Sequence, residues 1–166
     1  NWEKQSALPN QTILALALTP DFADSGDHFL LTKSALVAVS GDGTEEELTT
    51  HDEIQLGKLE VVDGTLYVHR VAYPKPTKKN GMEIVDYTSG TIDTYDLTTR
   101  AWSPLEKSFG DSIITDFDTA PKGDKLAIVI ALKDGSIQLS EDSGATWKET
   151  LRRDVDFTCK VAFSPN

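Results

Sequence analysis

The sequence predicts an all-β protein built from repeated four-stranded antiparallel units, and three observations predict it. Apolar runs have strand length, tight-turn signals separate them, and tryptophan and proline markers recur in one register. No window sustains the i, i+3, i+4, i+7 apolar pattern of an amphipathic helix.

The first unit is expected to place strands near Ile13–Leu18, Phe29–Thr32, Leu36–Val39 and Glu46–Thr50. The second has Lys58–Val62 and Thr65–Val71, then either Met82–Tyr87 or Gly90–Tyr95, then Trp102–Leu105. The third has Ile113–Asp118, Lys125–Ala131, Ile137–Ser140 and Thr146–Leu151, and Val155–Phe163 opens a fourth. Asp63-Gly64 joins two β-type runs, and Asp-Gly favours the φ > 0 geometry of a type I′ hairpin turn. The same device is expected at Asp134-Gly135, and Pro121-Lys122-Gly123-Asp124 forms a further turn.

Trp2, Glu47, Trp102 and Trp147 hold equivalent places, at spacings of 45, 55 and 45 residues. Pro20, Pro121 and Pro165 keep step, 18, 19 and 18 residues after their tryptophans. Two independent markers in one register define repeats of about 3–47, 48–102 and 103–147, with a further unit starting over 148–166. A period near 45 with four strands per unit is that of a β-propeller blade, whose apolar faces are buried by stacking around an axis. The expected architecture is therefore a partial β-propeller over 1–166, about three blades plus flanking strands. The surplus of the second repeat falls around Tyr73–Gly81 and reads as an exposed loop. Its Lys75, Lys78 and Lys79 are the basic cluster of an acidic chain, a candidate docking loop for an acidic partner surface as well as a plain solvated tip.

The third repeat contains Ser140-Glu141-Asp142-Ser143-Gly144-Ala145-Thr146-Trp147. It resembles the Asp-box, or BNR repeat, Ser-x-Asp-x-Gly-x-Thr-Trp, at Ser140, Asp142, Gly144, Thr146 and Trp147. Ser40-Gly41-Asp42-Gly43-Thr44 is a degraded copy that keeps the serine and aspartate, while Tyr95 through Trp102 keeps the aspartate and tryptophan with one extra residue between them and resembles kelch-type blades more closely. The chain thus resembles sialidase-like, photosystem-assembly-factor-like and sortilin-type propellers. The segment Val161–Asn166 equally suits a WD40-like blade, although no Trp-Asp or Gly-His pair accompanies it. In the box the aspartate accepts turn amides, the glycine takes positive φ, and the threonine and tryptophan begin the next strand with the indole between blades. The resemblance implies a structural role on the outer hairpins and names a fold, not an activity.

Composition narrows the function classes. With 16 Lys+Arg against 27 Asp+Glu the net charge is −11, which disfavours nucleic acid and anionic membrane surfaces. No apolar run approaches the ~20 residues of a membrane-spanning helix. The single Cys159, in an apolar stretch, reads as an inert buried thiol and permits no cysteine-based zinc cage. His28, His51 and His69 lack ligand spacing, and the acidic turns Asp24–Asp27 and Asp42–Glu47 lack the EF-hand pattern. No phosphate-binding loop appears, and no cofactor or metal is expected.

A sialidase-like site needs an arginine triad, but Arg70, Arg100, Arg152 and Arg153 are the four arginines and do not read as converging. Asp116 and Asp118 alternate along an expected inner strand, as a carboxylate pair for glycoside hydrolysis or as a solvated channel wall. Tyr67, Tyr73, Tyr87 and Tyr95 are candidate sugar platforms or packing residues. The leading expectation is a non-catalytic interaction or assembly scaffold within a larger extracytoplasmic protein. Its partner is a protein or the remaining blades. The alternatives are a carbohydrate-binding or glycoside-hydrolysing propeller and an intracellular WD40-like scaffold. The chain begins at Asn1 rather than Met, and the repeat count favours an arc cut within blades at both ends.

Overall fold

A computed structural model describes residues 11–72, 77–79, 82–84, 89–105, 109, 112–153 and 160–164. Within them the chain builds three four-stranded antiparallel sheets in succession. The first holds β1 (Ile13–Leu18), β2 (His28–Thr32), β3 (Ala35–Val39) and β4 (Glu45–Thr50), in that spatial order. The second begins with β5 (Leu56–Val62) and β6 (Thr65–Ala72). A separate hairpin of β7 (Thr77–Lys79) and β8 (Met82–Ile84) follows, before β9 (Ser89–Asp96) and β10 (Trp102–Pro104) complete the sheet. The third runs β11 (Ile114–Lys122), β12 (Lys125–Leu132), β13 (Ser136–Ser140) and β14 (Lys148–Arg152). The all-β class and the three blade-like sheets agree with the sequence.

One open choice is decided, for the Gly90–Tyr95 alternative, and three details differ. The third strand of the second sheet is Ser89–Asp96, in register with β6 from Thr65↔Asp96 to Ala72↔Ser89. Residues 82–84 pair instead with Thr77–Lys79, so the expected loop carries a hairpin of its own. One helical turn, Phe22–Ser25, interrupts the first blade and is closed by Gly26 at φ 76, whose N–H donates to the Phe22 carbonyl. Residues 160–164 form no strand. Trp2, Lys75 and Cys159 lie outside the described residues.

The hairpins show why Asp-Gly was only half a guide. Asp63 (φ 47) and Gly64 (φ 74) both take positive φ, as a type I′ turn requires. At Asp134-Gly135 only Gly135 does (φ 81), and its N–H donates to Leu132 O. That is a three-residue loop with glycine in the left-handed position, because Lys133 has been added to the turn.

Alternation along each strand puts one apolar set on each face, and two cores fill the gaps between sheets. Phe29, Leu31 and Leu36 of the first sheet meet Leu59, Leu66, Val68 and Tyr95 of the second. Tyr67 and Ile92 of the second meet Phe117, Leu126, Ile128 and Ile130 of the third. A glycine sits at each junction. A Cβ on Gly57 would collide with the Leu31 side chain, and one on Gly90 with the Ile114 carbonyl. The missing side chains let adjacent sheets close to contact distance.

Candidate functional site

Two constellations stand out, one on the outer hairpin of the third blade and one along the innermost strands.

The outer constellation is the turn between β13 and β14. Ser140, fully buried, donates from Oγ to Asp142 Oδ1 (2.9 Å) and accepts the Gly144 N–H (2.9 Å). Asp142 Oδ2 accepts the Thr146 hydroxyl (2.6 Å) and Oδ1 the Thr146 N–H (2.8 Å). These bonds from Thr146, side chain first and then backbone, hold the Asp142 carboxyl down to about 2. Gly144 takes φ 92 and its carbonyl accepts the Trp147 indole N–H at 2.8 Å. The Trp147 ring meets Phe109 edge-on, centroids 5.1 Å apart, and packs on the core between the second and third blades. β14 starts one residue after Trp147. The other two outer hairpins use aspartate in the same way. Asp42 accepts the Thr44 N–H at 2.8 Å, and Asp96 accepts those of Thr98 (2.9 Å) and Thr99 (2.7 Å).

The inner constellation joins β5, β11 and the segment 160–164. Lys58 Nζ lies 2.7 Å from Glu60 Oε1 and 3.0 Å from Asp118 Oδ1, and also donates to the Phe117 carbonyl. Its ammonium sits 5.1 Å from the centre of the Phe117 ring. Thr119 Oγ1 donates to Glu60 Oε2 at 2.6 Å. Burial pushes the Glu60 carboxyl up to about 6, against the pull of Lys58 and Thr119. Burial also pulls the Lys58 ammonium down, but its hydrogen bonds to Glu60 and Asp118 outweigh this and leave it above the usual lysine value. Asp118 Oδ2 accepts the Phe163 N–H at 2.7 Å, and Asp116 Oδ2 the Val161 N–H at 3.0 Å. Lys160 Nζ lies 3.6 Å from Asp116 Oδ1. His69 is buried with Nε2 3.1 Å from the Ile114 carbonyl, so the proton sits on Nε2. Burial depresses its pKa to about 4, which keeps the ring neutral.

Asp116 and Asp118 do share a face, but their oxygens are taken up by the 160–164 segment and by Lys58 of β5. Lys58, Glu60 and Thr119 escaped the sequence reading. The available signal was alternation: Lys58 and Glu60 stand two residues apart on β5, as Asp116 and Asp118 do on β11, so each pair shares one face of its strand.

The remaining candidates separate. Arg70 bonds Asp93, Arg100 bonds Glu46, and Arg152 bonds Glu149, each on its own part of the fold. Tyr67 and Tyr95 are buried in different cores, while Tyr73 and Tyr87 lie outside the described residues. Lys78 and Lys79 fall in β7, opposite Glu83 and Met82 in the backbone register. Among the described residues no group of three or more His, Cys, Asp or Glu is placed to hold a metal ion, and no helix is long and apolar enough to cross a membrane.

No protein-family model matches the chain, and no curated protein matches it. Solved structures do. The GH74 enzyme of Niastella koreensis superposes with a TM-score of 0.54 at 14% identity, over 76% of this chain and 20% of that one. YCF48 from Cyanidioschyzon merolae superposes with a TM-score of 0.54 at 15% identity, over 92% of this chain and 41% of that one. The chain thus spans less than half the length of either. Identities this low speak to architecture alone: the chain has a β-propeller-like fold related to those of the GH74 enzyme and YCF48.

Proposed function

We propose that the chain is an arc of a larger β-propeller that serves as a non-catalytic protein-interaction or assembly scaffold in an extracytoplasmic setting. One observation carries this reading. The inner-strand carboxylates that read as a candidate hydrolytic pair, Asp116 and Asp118, are bonded to Val161, Phe163, Lys58 and Lys160. A general acid and base need an open position between them for substrate and water. On this reading the 140–147 turn is an Asp-box, its serine, aspartate, glycine, threonine and tryptophan knit into one structural unit. The repeats 3–47, 48–102 and 103–147 are successive blades, and Lys75, Lys78 and Lys79 form a basic contact loop for an acidic partner.

The test has two arms. A panel of chromogenic glycosides should show no turnover, and turnover abolished by Asp116→Asn or Asp118→Asn overturns the scaffold reading. Cross-linking to a purified partner should map to the 77–84 hairpin and weaken when the three lysines become glutamates. Contacts that map elsewhere and ignore the charge reversal remove the loop from the proposal.

A further inference from the structure

The segment 160–164 is held in an unusual way. A strand normally docks by backbone ladder bonds. Here two side chains replace the ladder. Asp116 and Asp118 stand two residues apart on β11, so they project from one face, about 7 Å apart. An extended chain repeats its outward amides at the same interval. The Val161 and Phe163 N–H groups meet those two carboxylates at 3.0 and 2.7 Å. Lys160 adds an ammonium 3.6 Å from the second oxygen of Asp116. Along the segment, Lys160, Ala162 and Ser164 are exposed while Val161 and Phe163 are half-buried, the alternation of a one-sided extended chain. The clamp is braced from behind, because Lys58 of the second blade holds the other oxygen of Asp118. Beside it, on the same face of the third sheet, lie Val129, Leu139 and Ile137, with Leu151 48% exposed.

We propose that Asp116 and Asp118 form a strand-capture site that reads the backbone of an extended segment, basic first and then apolar at alternate positions. Lys160–Ser164 fills it within the chain, and an equivalent segment of a partner protein fills it in trans. Carboxylates only accept hydrogen bonds, so the site demands donors, which an extended backbone supplies as N–H groups at every second residue. It excludes proline at the two amide positions and repels acidic segments. This deepens the scaffold reading by naming a partner chemistry. Peptide binding and glycoside turnover are separate measurements, so either proposal can fail alone.

The experiment uses the full chain with Val161→Pro and Phe163→Pro, which removes both donor amides and vacates the clamp. The probe is a fluorescent Lys-Val-Ala-Phe-Ser peptide followed by anisotropy. The vacated chain should bind it saturably, and wild type at least about tenfold more weakly, because the tethered segment competes at high effective concentration. Adding Asp116→Asn and Asp118→Asn, or N-methylating the peptide at Val and Phe, should each weaken binding by about tenfold or more, the scale of a charge-assisted hydrogen bond. Binding indifferent to N-methylation overturns the proposal. So does the absence of binding to a vacated chain whose circular dichroism is unchanged. Amide exchange on wild type is the second readout: Val161 and Phe163 should be protected, and lose that protection in the double Asn variant. Unprotected amides in wild type also overturn it.

Discussion

Lys58 of the second blade reaches Asp118 of the third at 3.0 Å, and the same ammonium holds Glu60 at 2.7 Å. One cation therefore bridges two carboxyl groups that meet across a blade junction. Lys58→Met removes the cation and leaves the carboxylates to repel. Loss of one partner of a half-buried ion pair is expected to cost about 2–3 kcal/mol. Urea unfolding at neutral pH measures it, and a loss below about 0.5 kcal/mol would show the triad to be solvent-screened.

Two neighbouring groups give this junction opposite pH dependences. The folded Glu60 pKa, about 6, lies above its ordinary value, so folded protein holds a proton there that unfolded protein releases. Its contribution is fully present below about 4.5 and is lost as pH rises through 6. The folded His69 pKa, about 4, lies below its ordinary value. Its contribution is present above about 6.5 and is lost as pH falls towards 4. Between pH 4.5 and 6 the two slopes oppose. Glu60→Gln should unmask the histidine, and stability should then rise with pH by up to about 1.4 kcal/mol per unit across that window. Denaturant titrations at several pH values test this, and an unchanged slope would refute the pairing.

The outer turn makes a separate prediction. Ser140→Ala deletes the hydroxyl that bonds Asp142 and accepts the Gly144 amide. It leaves that N–H unmatched beside the core, at a cost of about 1–3 kcal/mol. Trp147 fluorescence during urea unfolding reads the loss. A variant as stable as wild type would mean the turn does not depend on its serine.

Close approach at the second junction is tested by Gly90→Ala. The added Cβ would run into the Ile114 carbonyl, which is backbone and gives way poorly. Overpacking of this kind costs about 1–3 kcal/mol. Gly64→Ala is the comparison, since Gly64 has open space but positive φ. Its smaller loss reflects backbone strain alone.

The strands and the blade count were legible because alternation, turn residues and a 45-residue register all pointed the same way. Boundaries shifted by one or two residues at most strand ends, as for β2 at His28 and β3 at Ala35. The 82–84 strand was harder. Met82–Ile84 and Ser89–Asp96 are both β-type, and only pairing decides which completes a sheet. The inner network was least legible. Lys58, Glu60, Asp118 and Thr119 lie up to 61 positions apart, and each alone reads as a solvated strand residue. Their meeting depends on how sheets stack, which no local pattern encodes.

The β7–β8 hairpin leaves the second sheet after Ala72, and the chain rejoins it at Ser89, directly opposite in the ladder. The two ends of the excursion are therefore pinned next to each other by the sheet itself, whatever lies between them. Changing the length of such an excursion costs little chain entropy, since closure grows only with the logarithm of loop length. The second blade thus has a graft point: an epitope, a reporter or a foreign hairpin placed between Ala72 and Ser89 inherits a rigid two-point mount.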